Sequence, residues 1–241
     1  METVMKTEII RHPHNAVELH SHLAYPNSRQ EKCPAVLIAP DWAGRNDEYC
    51  KRAEDIAALG YIAMTLDMYG QGKTGRDKEE NAALMTPFME DRRLLRERMN
   101  SALETLKRVK GVDANRLAAI GYCFGGLCVL DLARSGAQLK GVISFHGLLG
   151  AAEHLPNQTI HAKVLALHGH EDPMVTPDEV VAFETEMTKA KADWQMHIFG
   201  HTMHAFTNPQ ANDPSFGTVY NKAANERSWT LMKQFLSELF Y

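Results

Sequence analysis

The feature of this sequence that most constrains its fold is an alternation of short apolar runs with longer amphipathic segments. Five runs are predicted to be strands buried on both faces, because their apolar residues continue without polar alternation. Strands of this kind separated by helices predict right-handed βαβ units, and therefore a mostly parallel sheet with helices on both faces. The five runs are residues 35–40, 61–67, 116–121, 141–146 and 163–168.

Three further segments have the period of a surface helix. Residues 48–59 follow Asn46 or Asp47, either of which is a suitable N-cap. Residues 90–110 carry one apolar stripe opposite charged side chains, and residues 229–240 repeat aromatic and aliphatic side chains at the same period. We expect these helices to pack on the sheet through their apolar faces.

The two ends of the sheet are predicted from weaker signals. Residues 7–11 and 17–25 are typical of paired strands that add an antiparallel edge, and residues 194–199 alternate enough to form the last strand. The predicted fold class is therefore α/β, with a mostly parallel central sheet, an antiparallel N-terminal edge and helices on both faces.

Length and charge limit the classes of protein to which this chain can belong. Its 241 residues are 44% hydrophobic and show no linker or repeat, so we predict one domain over residues 1–241. A net charge of −4 argues against nucleic acid or an anionic membrane surface as a partner. A monomer or a small homo-oligomer is expected.

No segment of the sequence is typical of a membrane span or a leader. The longest charge-free apolar stretch, residues 117–130, is shorter than a bilayer-spanning helix. Residues 1–8 lack the basic region and apolar run of a secretory signal. We therefore predict a cytoplasmic location and no membrane partner.

The cysteines and the N-terminal histidines are the first candidates for chemistry. Four cysteines at uneven spacing predict free thiols rather than a disulfide framework, and Cys33, Cys50 and Cys128 are expected to be small buried hydrophobes. Residues 12, 14, 20 and 22 are histidines in two His-x-His pairs, a spacing that can place metal ligands on one strand face. No acidic or thiol residue obviously joins them, so no metal is predicted.

The most informative motif is the run from Gly121 to Gly126, Gly-Tyr-Cys-Phe-Gly-Gly, which follows a strand pattern and opens a helix pattern. A Gly-x-nucleophile-x-Gly turn holds its central residue in a strained conformation at the end of a strand, and its glycines remove side chains that would clash. Cys123 would then lie at a helix N-terminus, where the helix dipole favours a thiolate. The motif predicts a nucleophilic cysteine.

An activated thiol needs a base, and the base needs an orienting acid. In the α/β-hydrolase arrangement the acid and then the histidine follow the nucleophile in the chain. The strand at 163–168 leads to Glu171 and Asp172, of which Asp172, before a proline, is the better candidate. After the strand at 194–199, either His201 or His204 could be the base, and spacing alone does not choose between them.

These motifs resemble the dienelactone hydrolase family of α/β-hydrolases, and the resemblance covers nearly the whole chain. It is carried by the cysteine turn, by His-Gly-x-x-Asp-Pro-x-Val at 168–175, by His-Ala-Phe at 204–206 and by Ala-x-Glu-Arg-x-Trp at 224–229. The family pattern implies Cys123 as nucleophile, Asp172 as acid and His204 as base. It implies no metal or organic cofactor.

The resemblance also assigns roles to other loops. The loop at 39–46 is similar to the family's oxyanion loop, which implies that the backbone N–H groups of Trp42 and Phe124 hold the oxyanion. Asp41 stands where the family usually has a glutamate that shares the thiol's proton, and it is one methylene shorter. Tyr69 matches a family loop near the site.

The expected substrate is a small ester or lactone, hydrolysed through a covalent thioester. The family clamps a substrate carboxylate with arginines, one of them at the position of Asn208, so dienelactone itself is not favoured. Arg76 and Arg45 are the loop arginines that could reach the site. The alternatives are a peptidase or thioesterase on the same triad and a non-catalytic binding protein of the hydrolase fold.

Overall fold

The structure, a computed structural model, describes residues 5–27 and 30–241. The prediction that residues 1–8 are not a secretory signal includes residues 1–4, which lie outside the described residues. The strands and helices of the described chain are β1 Thr7–His14, β2 Val17–Ala24, β3 Cys33–Ala39, α1 Asp47–Ala58, β4 Ile62–Thr65, α2 Lys78–Glu90, α3 Arg92–Lys107, β5 Val112–Tyr122, α4 Phe124–Arg134, β6 Gly141–Phe145, β7 Lys163–Gly169, α5 Pro177–Lys189, β8 Trp194–Phe199, β9 Asn212–Asp213, β10 Thr218–Val219 and α6 Lys222–Phe240.

Eight of these strands belong to a mostly parallel sheet, and β9 and β10 form a separate antiparallel pair. The predicted fold class, an α/β-hydrolase fold with an antiparallel N-terminal edge, is confirmed. The chain divides into two compact units, Met1–Ala119 and Ile120–Tyr241, and β5 runs from the first into the second. This division does not decide between one domain and two, so the single domain over 1–241 stays a prediction.

The first unit contains the antiparallel edge. Its strands follow the order β1-β2-β4-β3, with β1 antiparallel to β2, β2 antiparallel to β4 and β3 parallel to β4. The central strand β3 is buried at every position, as its uninterrupted apolar sequence predicts.

Each helix of the first unit begins directly after an N-cap residue. Asn46 rather than Asp47 caps α1, because its side chain accepts a hydrogen bond from the N–H of Tyr49 at 3.2 Å. The predicted helix at 90–110 is shorter at both ends, since Asp91 caps α3 and Glu90 belongs to the preceding helix α2. Helix α2 was not predicted, because it buries only Asn81 and Phe88 and therefore has no apolar stripe.

The second unit contains the parallel strands β6, β7 and β8 in that order. Helix α4 is buried along its whole length, and α5 begins with a capping box formed by Thr176 and Glu179. Helix α6 begins at Lys222, earlier than the aromatic pattern indicates, with Asn221 as its cap. The last residues of two predicted strands also differ, because Gly169 extends β7 whereas His146 lies outside β6.

The N-terminal histidines have separate partners. The Nε2 atom of His12 lies 3.0 Å from the hydroxyl of Ser21, and Nδ1 of His14 accepts a hydrogen bond from Arg98 at 2.8 Å. Each of these two buried histidines therefore has a hydrogen-bond partner at one ring nitrogen.

All four cysteines are free thiols, as predicted, and Cys33 and Cys128 are buried. Cys50 is only half-buried and accepts a hydrogen bond from Arg45 at 3.4 Å, so the prediction of a buried hydrophobe is wrong there. Within the described residues, none of the helices is both long enough and apolar enough to cross a membrane.

Candidate active site

Cys123 occupies a sharp turn between β5 and α4. Its φ of 55° and ψ of −119° lie in a region that L residues rarely adopt. The N–H of Cys123 donates to the carbonyl of Phe145 at 3.0 Å, and its own carbonyl accepts from Gly126 at 2.9 Å. The side chain is half-buried, so the strained turn presents the thiol at the N-terminus of α4.

The glycines on each side of the thiol are required by close backbone contacts. A Cβ on Gly121 would lie 1.9 Å from the carbonyl oxygen of Gly125. This clash is with a backbone atom, so no side-chain movement can relieve it. A Cβ on Gly126 would lie 2.6 Å from both the Cα of Gly147 and the hydroxyl of Ser144. The local sequence and the tight turn therefore specify each other.

His204 and Asp172 form a buried pair. Nδ1 of His204 lies 2.7 Å from Oδ2 of Asp172, and the two residues are 1% and 4% exposed. The other carboxylate oxygen of Asp172 accepts a hydrogen bond from the N–H of Met174 at 2.8 Å. Both oxygens of the carboxylate are therefore held by hydrogen bonds. Because Asp172 contacts Nδ1 of His204, the Nε2 atom is on the opposite side of the ring from Asp172.

The Nε2 atom of His204 is buried and makes no well-formed hydrogen bond to a described residue. Burial by itself lowers the pKa of His204, but the charge of a Cys123 thiolate and the hydrogen bond to Asp172 outweigh it and raise the pKa well above its ordinary value. A raised pKa makes this imidazole a stronger proton acceptor than its burial alone would allow.

The competing residues of the sequence analysis pair with each other instead. Nδ1 of His201 lies 3.1 Å from Oε1 of Glu171, and the His201 side chain is 98% exposed. This ion pair is on the surface, whereas the Asp172–His204 pair is buried.

Gly169 of the quoted motif and Gly217, which was given no role from the sequence, make close contacts between the loops of the site. A Cβ on Gly169 would lie 2.4 Å from the carbonyl of Thr202, so the end of β7 touches the loop that carries His204. The carbonyl of Gly217 accepts a hydrogen bond from the N–H of His204 at 3.0 Å, and the N–H of Val219 donates to the carbonyl of His204 at 3.1 Å. No local pattern identifies Gly217, because its contacts are with residues distant in sequence.

The predicted oxyanion loop lies in the first unit. The hydroxyl of Tyr69 donates to the carbonyl of Trp42 at 2.8 Å, and Gly75 donates to the carbonyl of Ala43 at 3.1 Å. The Asp41 carboxylate accepts a hydrogen bond from the N–H of Ala43 at 2.8 Å. Tyr69 therefore supports the loop, and Asp41 is part of its turn.

Three residues considered for substrate binding make side-chain hydrogen bonds to their neighbours. Arg76 is 84% exposed and makes hydrogen bonds to Glu80, one of them at 2.9 Å from Nε. The side-chain oxygen of Asn208 accepts the N–H of Gln210 at 2.8 Å. The contacts of Arg45 to Cys50 likewise occupy part of its guanidinium.

The parallel sheet, the strand-to-helix turn at Cys123 and the buried His204–Asp172 pair define an α/β-hydrolase. A model of the dienelactone hydrolase family matches residues 19–240, and the chain belongs to that family. The predicted family and the predicted class of enzyme, a carboxylic ester hydrolase, are thereby confirmed.

Similar proteins agree with this assignment along the chain. A solved structure named m3DLH is 36% identical, covers 99% of this chain and 100% of its own, and superposes with a TM-score of 0.93. The structure of P91, a dienelactone hydrolase-like promiscuous phosphotriesterase from metagenomic libraries, is 33% identical, covers 98% of this chain and 99% of its own, and has a TM-score of 0.92. A probable 2-oxo-3-(5-oxofuran-2-ylidene)propanoate lactonase of Bradyrhizobium sp is 24% identical and covers 82% of this chain and 81% of its own.

Proposed function

We propose that this protein hydrolyses small esters or lactones through a Cys123–His204–Asp172 triad and a covalent thioester. The observation that carries the proposal is the position of His204, whose Nδ1 is bound to Asp172 while Cys123 raises the pKa of the imidazole. A thiol at a strained strand-to-helix turn next to such a histidine is suited to acyl transfer.

In the first half-reaction the sulfur of Cys123 attacks the substrate carbonyl carbon as a thiolate, because Nε2 of His204 already holds the thiol's proton. Asp172 accepts the hydrogen bond from Nδ1–H of His204 and stabilises the imidazolium. The tetrahedral intermediate then collapses, the carbon–oxygen bond breaks, and His204 returns the proton to the departing alkoxide. A lactone gives the same thioester with the alcohol still attached.

In the second half-reaction water attacks the thioester carbonyl carbon and gives its proton to Nε2 of His204. The carbon–sulfur bond breaks, the carboxylic acid leaves, and the Cys123 thiolate is restored beside the protonated His204. No metal or organic cofactor enters these steps.

The developing oxyanion is assigned to the backbone N–H groups of Phe124 and Trp42. Phe124 is the first residue of α4, where helix N–H groups and the dipole favour negative charge. The Trp42 contribution follows from the family resemblance, and the hydrogen bond from Tyr69 is what keeps that loop in place. Asp41 is assigned the role of forming this loop, and not the family glutamate's role of sharing the thiol's proton.

Neutral short-chain esters or lactones are the proposed substrates. Arg76 is bound to Glu80, and Asn208 replaces the family's clamping arginine, so neither offers a free cation for a substrate carboxylate. Desolvating an anionic substrate without a paired cation is costly.

A phosphotriester is the second candidate substrate, because P91 resembles this chain over 98% of its length. The same thiol would attack phosphorus instead of a carbonyl carbon. Assays of a neutral aryl phosphotriester beside an aryl butyrate, in the parent and in Cys123→Ala, decide whether both reactions use this site.

The proposed function is tested with p-nitrophenyl butyrate and the variants Cys123→Ala and Cys128→Ala. Cys123→Ala is expected to abolish turnover, and Cys128→Ala, a change in the same helix, is expected to retain most of it. A thioester adduct that maps to Cys123 by mass spectrometry after acid quenching supports the covalent step. Near-parental turnover by Cys123→Ala contradicts the proposal.

The same substrate panel addresses the alternatives. Preferential cleavage of acyl thioesters or peptides would identify a thioesterase or peptidase, and tight ester binding without turnover would identify a binding protein. A cytoplasmic location and a monomer or small homo-oligomer stay predictions, to be measured by cell fractionation and by light scattering after gel filtration.

A further inference from the structure

A second buried histidine, His146, lies directly after β6. It is 2% exposed, and its φ of 39° is in the left-handed region. The backbone N–H of His146 donates to the carbonyl of Leu167 at 2.8 Å, which ties the end of β6 to β7.

The ring of His146 packs against the ring of His204. Their centroids are 5.1 Å apart at an interplanar angle of 65°, and the ring of Phe206 lies 5.0 Å from His146 on an edge-to-face contact. The Nε2 atom of His146 lies 2.8 Å from the hydroxyl of Thr207, so the ring itself is held in one orientation. Tyr122, the residue before the nucleophile, is 6.1 Å away on a tilted contact.

A hydrogen bond at one nitrogen leaves an imidazole free to tilt about that contact. Asp172 fixes His204 at Nδ1, and a rigid ring against the His204 imidazole restricts the tilt that would move Nε2. We infer that His146 is a positioning residue, which keeps Nε2 of His204 directed at the reacting atoms during both proton transfers. This inference rests on the proposed triad.

Two substitutions at this position separate the ring contact from the backbone conformation. His146→Phe retains an aromatic ring but is poorly suited to the left-handed backbone, whereas His146→Asn is well suited to that backbone and has no ring. A positioning role predicts that kcat falls about five- to tenfold in His146→Asn and about twofold in His146→Phe, with KM nearly unchanged in both. A purely structural role predicts the opposite order, with His146→Asn the more active and the more stable.

A second measurement does not depend on turnover. The side-chain nitrogen and carbon-bound proton signals of His204 are recorded by NMR in Cys123→Ala and in the double variants that add His146→Asn or His146→Phe. We expect His146→Asn to shift or broaden the His204 signals and His146→Phe to preserve them. Unchanged His204 signals in His146→Asn, or an equal loss of kcat in both single variants, would overturn the inference.

The two proposals fail in different ways. Turnover by Cys123→Ala would remove the proposed triad, but the His204 signals would still report whether His146 orients that ring. An inactive Cys123→Ala together with full kcat in His146→Asn would remove only the role of His146.

Discussion

Gly217 packs directly on Pro173, the residue that follows Asp172. A Cβ on Gly217 would lie 2.1 Å from Cγ of Pro173, and the φ of Gly217 is +84°. The carbonyl of the same glycine accepts a hydrogen bond from the N–H of His204 at 3.0 Å. One backbone position therefore touches both the loop of the acid and the loop of the base.

This contact predicts that Gly217→Ala lowers kcat about ten- to a hundredfold. The new methyl group must push Pro173 away, and the left-handed backbone is unfavourable for alanine, so Asp172 and His204 separate. Steady-state kinetics on an aryl ester, with thermal unfolding to confirm a folded protein, make the measurement. Gly200→Ala is the control, since a Cβ there meets nothing within 4 Å and should change little.

His204→Gln should reduce kcat on the order of a thousandfold or more, because the proposed general base is lost. His201→Gln should stay within about twofold of the parent, since a surface ion pair with Glu171 contributes little. Both variants are compared by kcat under saturating ester. Equal losses, or a larger loss in His201→Gln, would reverse the assignment of the base.

Asp172→Asn is expected to lose less kcat than His204→Gln and more than His201→Gln, because it misorients the imidazole without removing it. Glu171→Gln is the matched control on the same loop and should behave like the parent. The prediction is wrong if the two carboxylate substitutions have equal effects on kcat.

The titration of His204 should depend on both partners. In the parent its pKa is raised to about 10, against the lowering effect of burial, by the Cys123 thiolate and by Asp172. Removing a partner leaves the burial, so both Cys123→Ala and Asp172→Asn should lower the pKa. The measurement is an NMR titration of the His204 ring between pH 5 and pH 11, and an unchanged pKa in both variants would contradict the coupling.

The same shift fixes the sign of a stability effect. The folded pKa of His204 is above its unfolded value of 6.5, so the folded protein holds the proton more tightly. The part of this stabilisation that comes from Asp172 is present below about pH 6.5 and is lost as pH rises through the folded pKa. Urea unfolding of Cys123→Ala, in which only Asp172 raises the pKa, should show this loss between pH 6 and pH 9, and Asp172→Asn in the same background should reduce it.

The charge of the substrate should affect the kcat/KM of the parent protein. The parent should hydrolyse neutral short-chain esters or lactones with a higher kcat/KM than carboxylate-bearing lactones, and Asn208→Arg should shift this preference toward the anionic substrate about tenfold, or about 1.4 kcal/mol. Arg76→Ala should leave the preference unchanged, because Glu80 already binds that guanidinium. A strong preference of the parent for the carboxylate, lost in Arg76→Ala, would assign the clamp to Arg76.

Local patterns in the sequence were sufficient for the parts of the protein that local contacts specify. The central strands follow from uninterrupted apolar runs, and α1 follows from its capping residue. The turn at Cys123 follows in part from Gly121, because the clash that excludes a side chain there is with the carbonyl of Gly125, within the motif itself. These features need no knowledge of distant residues.

Tertiary structure decided which distant residues meet. From spacing alone, Glu171 and Asp172 were both possible acids, and His201 and His204 were both possible bases. The fold pairs Asp172 with His204 in the interior and Glu171 with His201 on the surface. Helix α2 and the β9–β10 pair were missed because they bury too little apolar surface to leave a periodic pattern.

The contacts of Gly217 with Pro173 and of His146 with His204 join segments about 44 and 58 residues apart in the chain, and no periodicity encodes them. The sequence by itself determined the nucleophile's turn and the class of fold, because both depend on backbone conformation and on the burial of each segment. Only the tertiary structure decided the surroundings of the histidine, because burial and hydrogen bonding between loops depend on how the strands align.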